Sequence, residues 1–179
     1  PTEPLRLFDS PFQARFVKRP NRFLVECTSA GRKISAFLPN PGRLRELLFP
    51  GATLYLVEDS SNPERKTSCT VVAVEREGVP IMLHTHLTNK VAKFLIEKGF
   101  IPALRGATVV KAEATVGRSR FDFLLDDGMK EIYVEVKSCT LAGERVAMFP
   151  DAVTARGARH LKELARLSSE GKRAVVLLI

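Results

Sequence analysis

The sequence has little of what marks several large classes of protein. It contains no tryptophan, two tyrosines, three histidines and three cysteines among 179 residues. The cysteines (Cys27, Cys69 and Cys139) are odd in number, far apart and form no C-x-x-C pair, which argues against a disulfide scaffold. No apolar run approaches the ~20 residues that a membrane helix needs, and the N-terminus has no secretory hydrophobic segment. We therefore expect a reduced, cytoplasmic protein with no membrane partner.

Acidic residues are also in deficit. Lys and Arg number 28 against 20 Asp and Glu, which gives a net charge of +8. Residues 1–85 carry 12 basic and 9 acidic side chains, and residues 86–179 carry 16 and 11, so the excess is not gathered in a tail. Diffuse positive charge favours a polyanionic partner, nucleic acid first, although a basic surface can also be incidental.

The first half of the chain alternates short apolar stretches with turn residues. The segment 39–43 is a rigid break, because its two prolines cannot continue a ladder of hydrogen bonds. Many short strands with little helix are typical of a small closed barrel, and the OB-fold is the natural candidate. We predict an OB-fold domain over residues 1–85, with strands at 21–27, 32–38, 53–57, 67–75 and about 81–83.

The hydrophobic period changes after residue 86. A helix is predicted over 87–99 with Asn89 as its N-cap, and a second helix opens at 149–154 with Asp151 as its N-cap. The order helix, strand, hairpin, helix, strand predicts an α/β domain over 86–179 with a parallel crossover at its end. The last strand, 174–179, is fully apolar and expected to be buried, so we expect the native domain to continue beyond it.

The most informative stretch is a predicted β-hairpin over 118–141, with a turn at Asp126-Asp127-Gly128. If the turn centres near residues 128 and 129, facing residues have numbers that sum to 257. Asp122 then lies opposite Glu135, and Lys137 points the same way because strand side chains repeat every second residue. Two facing carboxylates repel each other unless a cation lies between them.

An acid followed by E-x-K on the neighbouring strand is the pattern of the PD-(D/E)xK nuclease core. In that pattern the acids hold a metal ion that activates water, and the lysine stabilises charge at the scissile phosphate. We therefore predict Mg²⁺ or Mn²⁺ at Asp122 and Glu135, with the Val136 carbonyl and waters completing the coordination. The alternative is a set of exposed strand residues that form simple ion pairs.

Six segments, taken in order, resemble the sugar fermentation stimulation protein family (SfsA). They are R-P-N-R-F-L-V-E (19–26), P-N-P-G-R-L (39–44), N-P-E-R-K-T (62–67), S-R-F-D-F-L-L (119–125), Y-V-E-V-K-S-C-T-L (133–141) and F-P-D-A-V-T-A-R-G-A-R-H-L (149–161). The resemblance implies an OB-fold domain followed by a PD-(D/E)xK restriction-endonuclease-like α/β domain. It also implies nucleic-acid binding and a link to the regulation of sugar-utilisation genes, including those for maltose.

On the positions that match the family's motifs, the resemblance implies a catalytic set of Asp122, Glu135 and Lys137. Glu113, on the preceding predicted strand, is a candidate fourth member and is equally well explained as a solvated acid. Family members also run on past Ile179, which agrees with the expectation that the domain continues.

Several basic residues are candidate contacts to a phosphate backbone. They are Arg22, Arg43, Arg65 and Lys66 around the barrel loops, Arg118 and Arg120 on the hairpin, and Arg156 and Arg159 on the second helix. His160 is a further candidate on the second helix.

Aromatic residues and a histidine pair give two further candidates. Phe8, Phe12, Phe16 and Phe23 either stack on bases or belong to the core. His84 and His86 have the spacing of metal ligands on a strand, but no third ligand is evident nearby.

Three functions are consistent with these features. The first is a nucleic-acid-binding protein with metal-dependent nuclease activity, for which we favour DNA over RNA. The second is a non-catalytic, largely sequence-nonspecific DNA-binding regulator of sugar metabolism genes, and the third is a protein-interaction barrel with incidental charge. The sequence leaves the oligomeric state open, a homodimer included.

Overall fold

The computed structural model describes residues 3–59, 66–142, 146–148 and 154–179. The chain folds as two compact units. The barrel unit consists of Arg6–His86 with Thr140–Ala152, and the α/β unit consists of Leu87–Cys139 and Val153–Ile179 with Pro1–Leu5. No helix within the described ranges is both long and apolar enough to cross a membrane.

The barrel unit is a six-stranded sheet with the order β3-β2-β1-β4-β5-β6. A parallel pairing of β3 with β5, through Ala36↔Cys69 and Phe37↔Thr70, closes the first five strands on themselves. Closure removes the exposed edges of the sheet, and this strand order confirms the OB-fold prediction. The strands are β1 (Phe12–Asn21), β2 (Leu24–Ser29), β3 (Arg32–Phe37), β4 (Thr53–Glu58), β5 (Cys69–Arg76) and β6 (Val79–Met82), with a two-stranded hairpin, β10 (Leu141–Ala142) and β11 (Ala147–Met148).

Strand β1 is the element of the barrel that the sequence prediction missed. Its interior residues alternate through Ala14 and Phe16, which lie in the barrel core, while charged residues between them hide the pattern. Phe16 is therefore a core residue, whereas Phe23 remains exposed. Between β3 and β4, Leu44 accepts backbone hydrogen bonds from Leu47 and Leu48, so these residues form a single turn.

The α/β unit contains a four-stranded sheet with the order β12-β9-β8-β7. Its strands are β7 (Thr108–Val116), β8 (Ser119–Asp126), β9 (Glu131–Lys137) and β12 (Arg173–Leu178), and its helices are α1 (Thr88–Glu97) and α2 (Ala155–Ser169). Strand β12 pairs in parallel with β9, as predicted. The prediction that this last strand is buried is wrong, because β12 pairs only with β9 in the described sheet and leaves Val176 and Leu178 exposed.

Alternation along β9 divides its side chains between two cores. Ile132, Val134 and Val136 pack in a cluster with Ala92 and Ile96 of α1. Tyr133 packs instead with Phe121 and with Leu164 and Leu167 of α2. Glu135, two residues after Tyr133, has the same parity, so strand geometry directs its carboxylate towards the α2 side.

The inward face of α2 contains a histidine. The buried residues are Gly157, His160, Leu164 and Leu167, whereas Leu161 is exposed. The imidazole of His160 lies inward because it contacts a buried carboxylate, which is described below. The helix begins after Thr154, whose hydroxyl accepts a hydrogen bond from Gly157 N at 2.9 Å. Asp151, the predicted N-cap, lies outside the described residues.

Candidate metal centre

The β8–β9 hairpin has the register that the sequence predicts. Its backbone pairs run from Asp126↔Glu131 to Phe123↔Val134, so facing residues sum to 257, but the predicted pair Asp122↔Glu135 is not among them. Asp122 bonds to Asn89 of α1, whereas Glu135 bonds to His160 of α2. The turn between the strands is fixed by Asp127, whose Oδ1 accepts hydrogen bonds from Met129 N at 3.0 Å and Lys130 N at 2.8 Å. Gly128 provides the positive φ of 84° that the reversal requires.

Asp122 lies one step beyond the last of these backbone pairs and bonds across to the neighbouring strand with its side chain. Its Oδ2 accepts a hydrogen bond from Val136 N at 2.7 Å, and its Oδ1 accepts one from Asn89 Nδ2 at 2.8 Å. The carboxylate is therefore held at both oxygens next to the backbone of β9. The prediction of Asn89 as a helix cap is wrong: the N-cap is Leu87, with no side-chain hydrogen bond, and the Asn89 amide is used at Asp122.

Glu135 is a carboxylate almost completely removed from water, with 2% of its surface exposed. Its Oε1 contacts Lys137 Nζ and lies 2.6 Å from His160 Nδ1. Its Oε2 is buried and has no hydrogen-bond partner in the described part of the chain. A buried polar atom without a partner typically costs on the order of 1–3 kcal/mol.

Lys137 and His160 approach the same oxygen of Glu135 from different elements. Lys137 follows Glu135 by two residues on β9, and its side chain is 18% exposed. His160 is buried on α2 with its ring edge-on to Phe121, the ring centroids 6.1 Å apart. His160 is therefore buried, although the basic residues beside it on α2 suggested that it faces solvent and contacts phosphate. Its spacing from Gly157 and Leu164 on one helical face was the available signal.

Glu113 is not brought into this group. Its side chain is 65% exposed and lies 3.5 Å from Arg120. Its φ of +56° is rare for a residue other than glycine. The backbone pairs on either side of it are Ala112↔Phe123 and Ala114↔Phe121, so Glu113 lies opposite Asp122 in the register of β7 with β8.

The donor set at the hairpin fits a hard divalent cation in part. Among the described residues, no three or more His, Cys, Asp or Glu side chains are grouped so that they could hold a metal ion. The oxygen donors that the sequence predicts are the two carboxylates and the Val136 carbonyl. Magnesium keeps several of its waters and is usually held by one or two carboxylates, so such an incomplete set suits it.

The candidate phosphate contacts are distributed over both units. Arg65 lies outside the described residues. His84 and His86 contact each other edge-on with ring centroids 5.6 Å apart. The exposed candidates are Arg22, Arg43 and Lys66 in the barrel unit and Arg118, Arg120, Arg156 and Arg159 in the α/β unit.

Comparison with known proteins gives a consistent result over the whole chain. The family described as "Sugar fermentation stimulation protein RE domain" matches residues 86–179, and "SfsA N-terminal OB domain" matches residues 17–83. A sugar fermentation stimulation protein homolog of Moorella thermoacetica is 45% identical over 168 residues, which cover 93% of this chain and 72% of the homolog. A homolog of Methanothermobacter thermautotrophicus is 40% identical over 173 residues, covering 97% of this chain and 72% of the homolog.

A solved structure extends the likeness to three dimensions. The structure of Pyrococcus furiosus SfsA in complex with Ca²⁺ superposes with a TM-score of 0.83 at 34% sequence identity. The match covers 99% of this chain and 75% of the Pyrococcus chain. With both domain matches, the closed barrel and the α/β unit in agreement, the chain belongs to the sugar fermentation stimulation protein (SfsA) family.

Proposed function

We propose that this protein binds nucleic acid and that its α/β unit hydrolyses phosphodiester bonds with Mg²⁺ or Mn²⁺ held by Asp122 and Glu135. The observation that carries the proposal is Glu135 Oε2, a buried carboxylate oxygen with no hydrogen-bond partner among the described residues. The Ca²⁺ bound to the Pyrococcus furiosus relative supports a divalent cation in a protein of this fold. Together they favour the nuclease interpretation of the D…E-x-K hairpin.

Each residue of the hairpin has a separate role in this proposal. A bound divalent cation supplies Lewis-acid chemistry, which activates water and neutralises charge at a phosphate. Asp122 and Glu135 supply the negative charge that holds it, and Asn89 fixes the orientation of the Asp122 carboxylate. Lys137 Nζ supplies positive charge where the phosphate accumulates negative charge during displacement.

His160 acts in this proposal as a positioning residue. Its imidazole is packed against Phe121 and bonded to Glu135 Oε1, so it restricts the rotation of the carboxylate. With Oε1 occupied by His160 and Lys137, Oε2 is the oxygen left for a metal ligand. Contacts that orient a metal-binding carboxylate in this way typically change metal affinity by about 10–100-fold when removed.

The test is cleavage of labelled single-stranded DNA, duplex DNA and RNA with Mg²⁺, Mn²⁺ or EDTA. We expect the wild type to cleave at least one substrate only with a divalent cation. Glu135→Gln and Lys137→Met should each lower the rate roughly 100-fold or more. Lys130→Ala removes a lysine from the opposite end of the same hairpin and should leave the rate unchanged.

Equal rates in all four proteins would identify a contaminating nuclease, and no cleavage with any cation would reject the proposal.

The second candidate is a non-catalytic DNA-binding regulator. The near-complete burial of Glu135 and the contacts of its Oε1 with Lys137 and His160 favour it, because a purely structural carboxylate would have the same surroundings. Salt-dependent DNA binding without hydrolysis would decide for it.

A further inference from the structure

Strand β12 leaves a strip of apolar surface uncovered on the α2 side of the sheet. At the start of the strand, Ala174 packs in the cluster that joins Tyr133 to α2. Val176 and Leu178 lie on the same face as Ala174, because strand side chains repeat every second residue. They extend past the cluster under α2 and are 39% and 38% exposed. We call Val176 and Leu178 the β12 strip.

The register of β12 with β9 places this strip beside the E-x-K residues of the hairpin. Val176 is paired with Glu135, and Leu178 is paired with Lys137. Paired residues on neighbouring strands point to the same face, and the strands are about 4.8 Å apart. Leu177, between the two strip residues, packs instead in the core on the α1 side. The proposed metal ligand and the proposed phosphate contact therefore each have an exposed apolar neighbour.

The β12 strip has the chemistry of a contact surface for a deoxyribose sugar. A nucleotide whose phosphate is bound at Lys137 Nζ carries its sugar directly on that phosphate, so the sugar comes to lie against the adjacent strand. Neither side chain of the strip offers a hydrogen-bonding group. The C2′ methylene of deoxyribose packs against such a surface without loss, whereas the 2′-hydroxyl of ribose is removed from water without a new partner.

We propose that the β12 strip contacts the sugar next to the scissile phosphate and selects deoxyribose strands over ribose strands. The inference rests on the proposed function, because that function places the phosphate at Lys137. The 2′-hydroxyl is the group by which a protein site distinguishes RNA from DNA. A hydrophobic pocket rejects a ligand with one additional hydroxyl by about 100-fold at most, and a partly exposed strip should give roughly 10-fold.

The experiment compares single strands of one sequence with 2′-deoxy, 2′-hydroxy or 2′-fluoro sugars, all with uracil in place of thymine. Cleavage is measured with Mn²⁺, and binding is measured separately by fluorescence anisotropy with Ca²⁺. We expect the 2′-hydroxy strand to be disfavoured roughly 10-fold and the other two strands to behave alike. Fluorine donates no hydrogen bond but gives the sugar the ring shape of RNA, so this strand separates rejection of the hydroxyl from rejection of the shape.

Two substitutions test the strip, and a third is their control. Val176→Thr keeps the shape of the side chain and adds a hydroxyl that can bond to the 2′-hydroxyl, and Leu178→Asn adds an amide. Each should lower the preference for deoxyribose by at least about threefold. Val110 is 59% exposed on β7, at the other edge of the same sheet, so Val110→Thr should leave the preference unchanged.

The outcomes separate this inference from the proposed function. If the protein cleaves but Val176→Thr and Leu178→Asn keep the wild-type preference, the strip is not the determinant and the inference fails alone. A 2′-fluoro strand that behaves like the 2′-hydroxy strand would also overturn it. If no strand is cleaved, the proposed function fails, and binding with Ca²⁺ decides for the strip: a preference that Val176→Thr removes supports it, and no preference rejects it.

Discussion

Glu135→Gln removes one negative charge from the interior of the α/β unit while keeping the size of the side chain. Without a metal ion, the change also deprives Lys137 and His160 of their common partner. We therefore expect the variant to be less stable than the wild type in EDTA. The informative quantity is the additional stability that each protein gains from a divalent cation.

That gain follows from binding to the folded state alone. At a Mn²⁺ concentration 100-fold above the Kd, the free energy of unfolding of the wild type rises by about 2.7 kcal/mol. For a chain of this length the corresponding increase in Tm is roughly 5–10 °C. If loss of the Glu135 charge weakens the site about 100-fold, the same Mn²⁺ concentration contributes only about 0.4 kcal/mol, or roughly 1 °C.

Differential scanning calorimetry with a Mn²⁺ titration measures both increases. Glu131→Gln is the matched control, since Glu131 is on the same strand, pairs with Lys172 at 3.2 Å and lies outside the proposed site. It should gain as much from Mn²⁺ as the wild type does. An equal gain in Glu135→Gln and the wild type would refute the reasoning, as would a wild type that gains nothing at millimolar Mn²⁺.

Three further predictions concern the scaffold of the site. Thr154→Ala removes the N-cap of α2 and should lower the free energy of unfolding by about 1 kcal/mol in urea titrations, whereas Thr154→Ser should not. Glu113→Gly should be about 1 kcal/mol more stable than Glu113→Ala, because both lose the contact to Arg120 but only glycine adopts a φ of +56° without strain; equal stabilities would contradict this. Backbone hydrogen bonds from Lys130 and Met129 lower the pKa of Asp127, so its contribution to stability is present above the unfolded pKa of about 3.9 and disappears as pH falls through the folded value. Asp127→Asn should therefore show a shallower loss of stability below about pH 4 than the wild type, measured by its urea midpoint.

The β8–β9 hairpin was predictable because its register depends on local information. A turn signal at Gly128 and strict alternation on both sides fix which residues face each other. The contact between His160 and Glu135 was not, since it joins residues 25 apart in sequence through the packing of a helix on a sheet. The prediction of Asn89 as a helix cap was wrong for a related reason. An asparagine at a helix start usually caps the helix, and only tertiary structure reveals that its amide bonds to Asp122.

Burial was harder to predict than secondary structure. The apolar run of β12 predicted a buried strand, yet Val176 and Leu178 are exposed in the described part of the chain. Phe16 and Phe23 are similar in sequence context, but one points into the closed barrel and the other lies in a turn. The difference depends on β1 being a strand, which its interspersed charges concealed.

Crystals soaked in Mn²⁺ and measured at the manganese absorption edge would test the central claim most directly. We predict an anomalous peak that marks a Mn²⁺ ion within bonding distance of both the Asp122 carboxylate and Glu135 Oε2. A peak elsewhere, or none, with Glu135 still bonded only to Lys137 and His160, would contradict a metal centre at this hairpin.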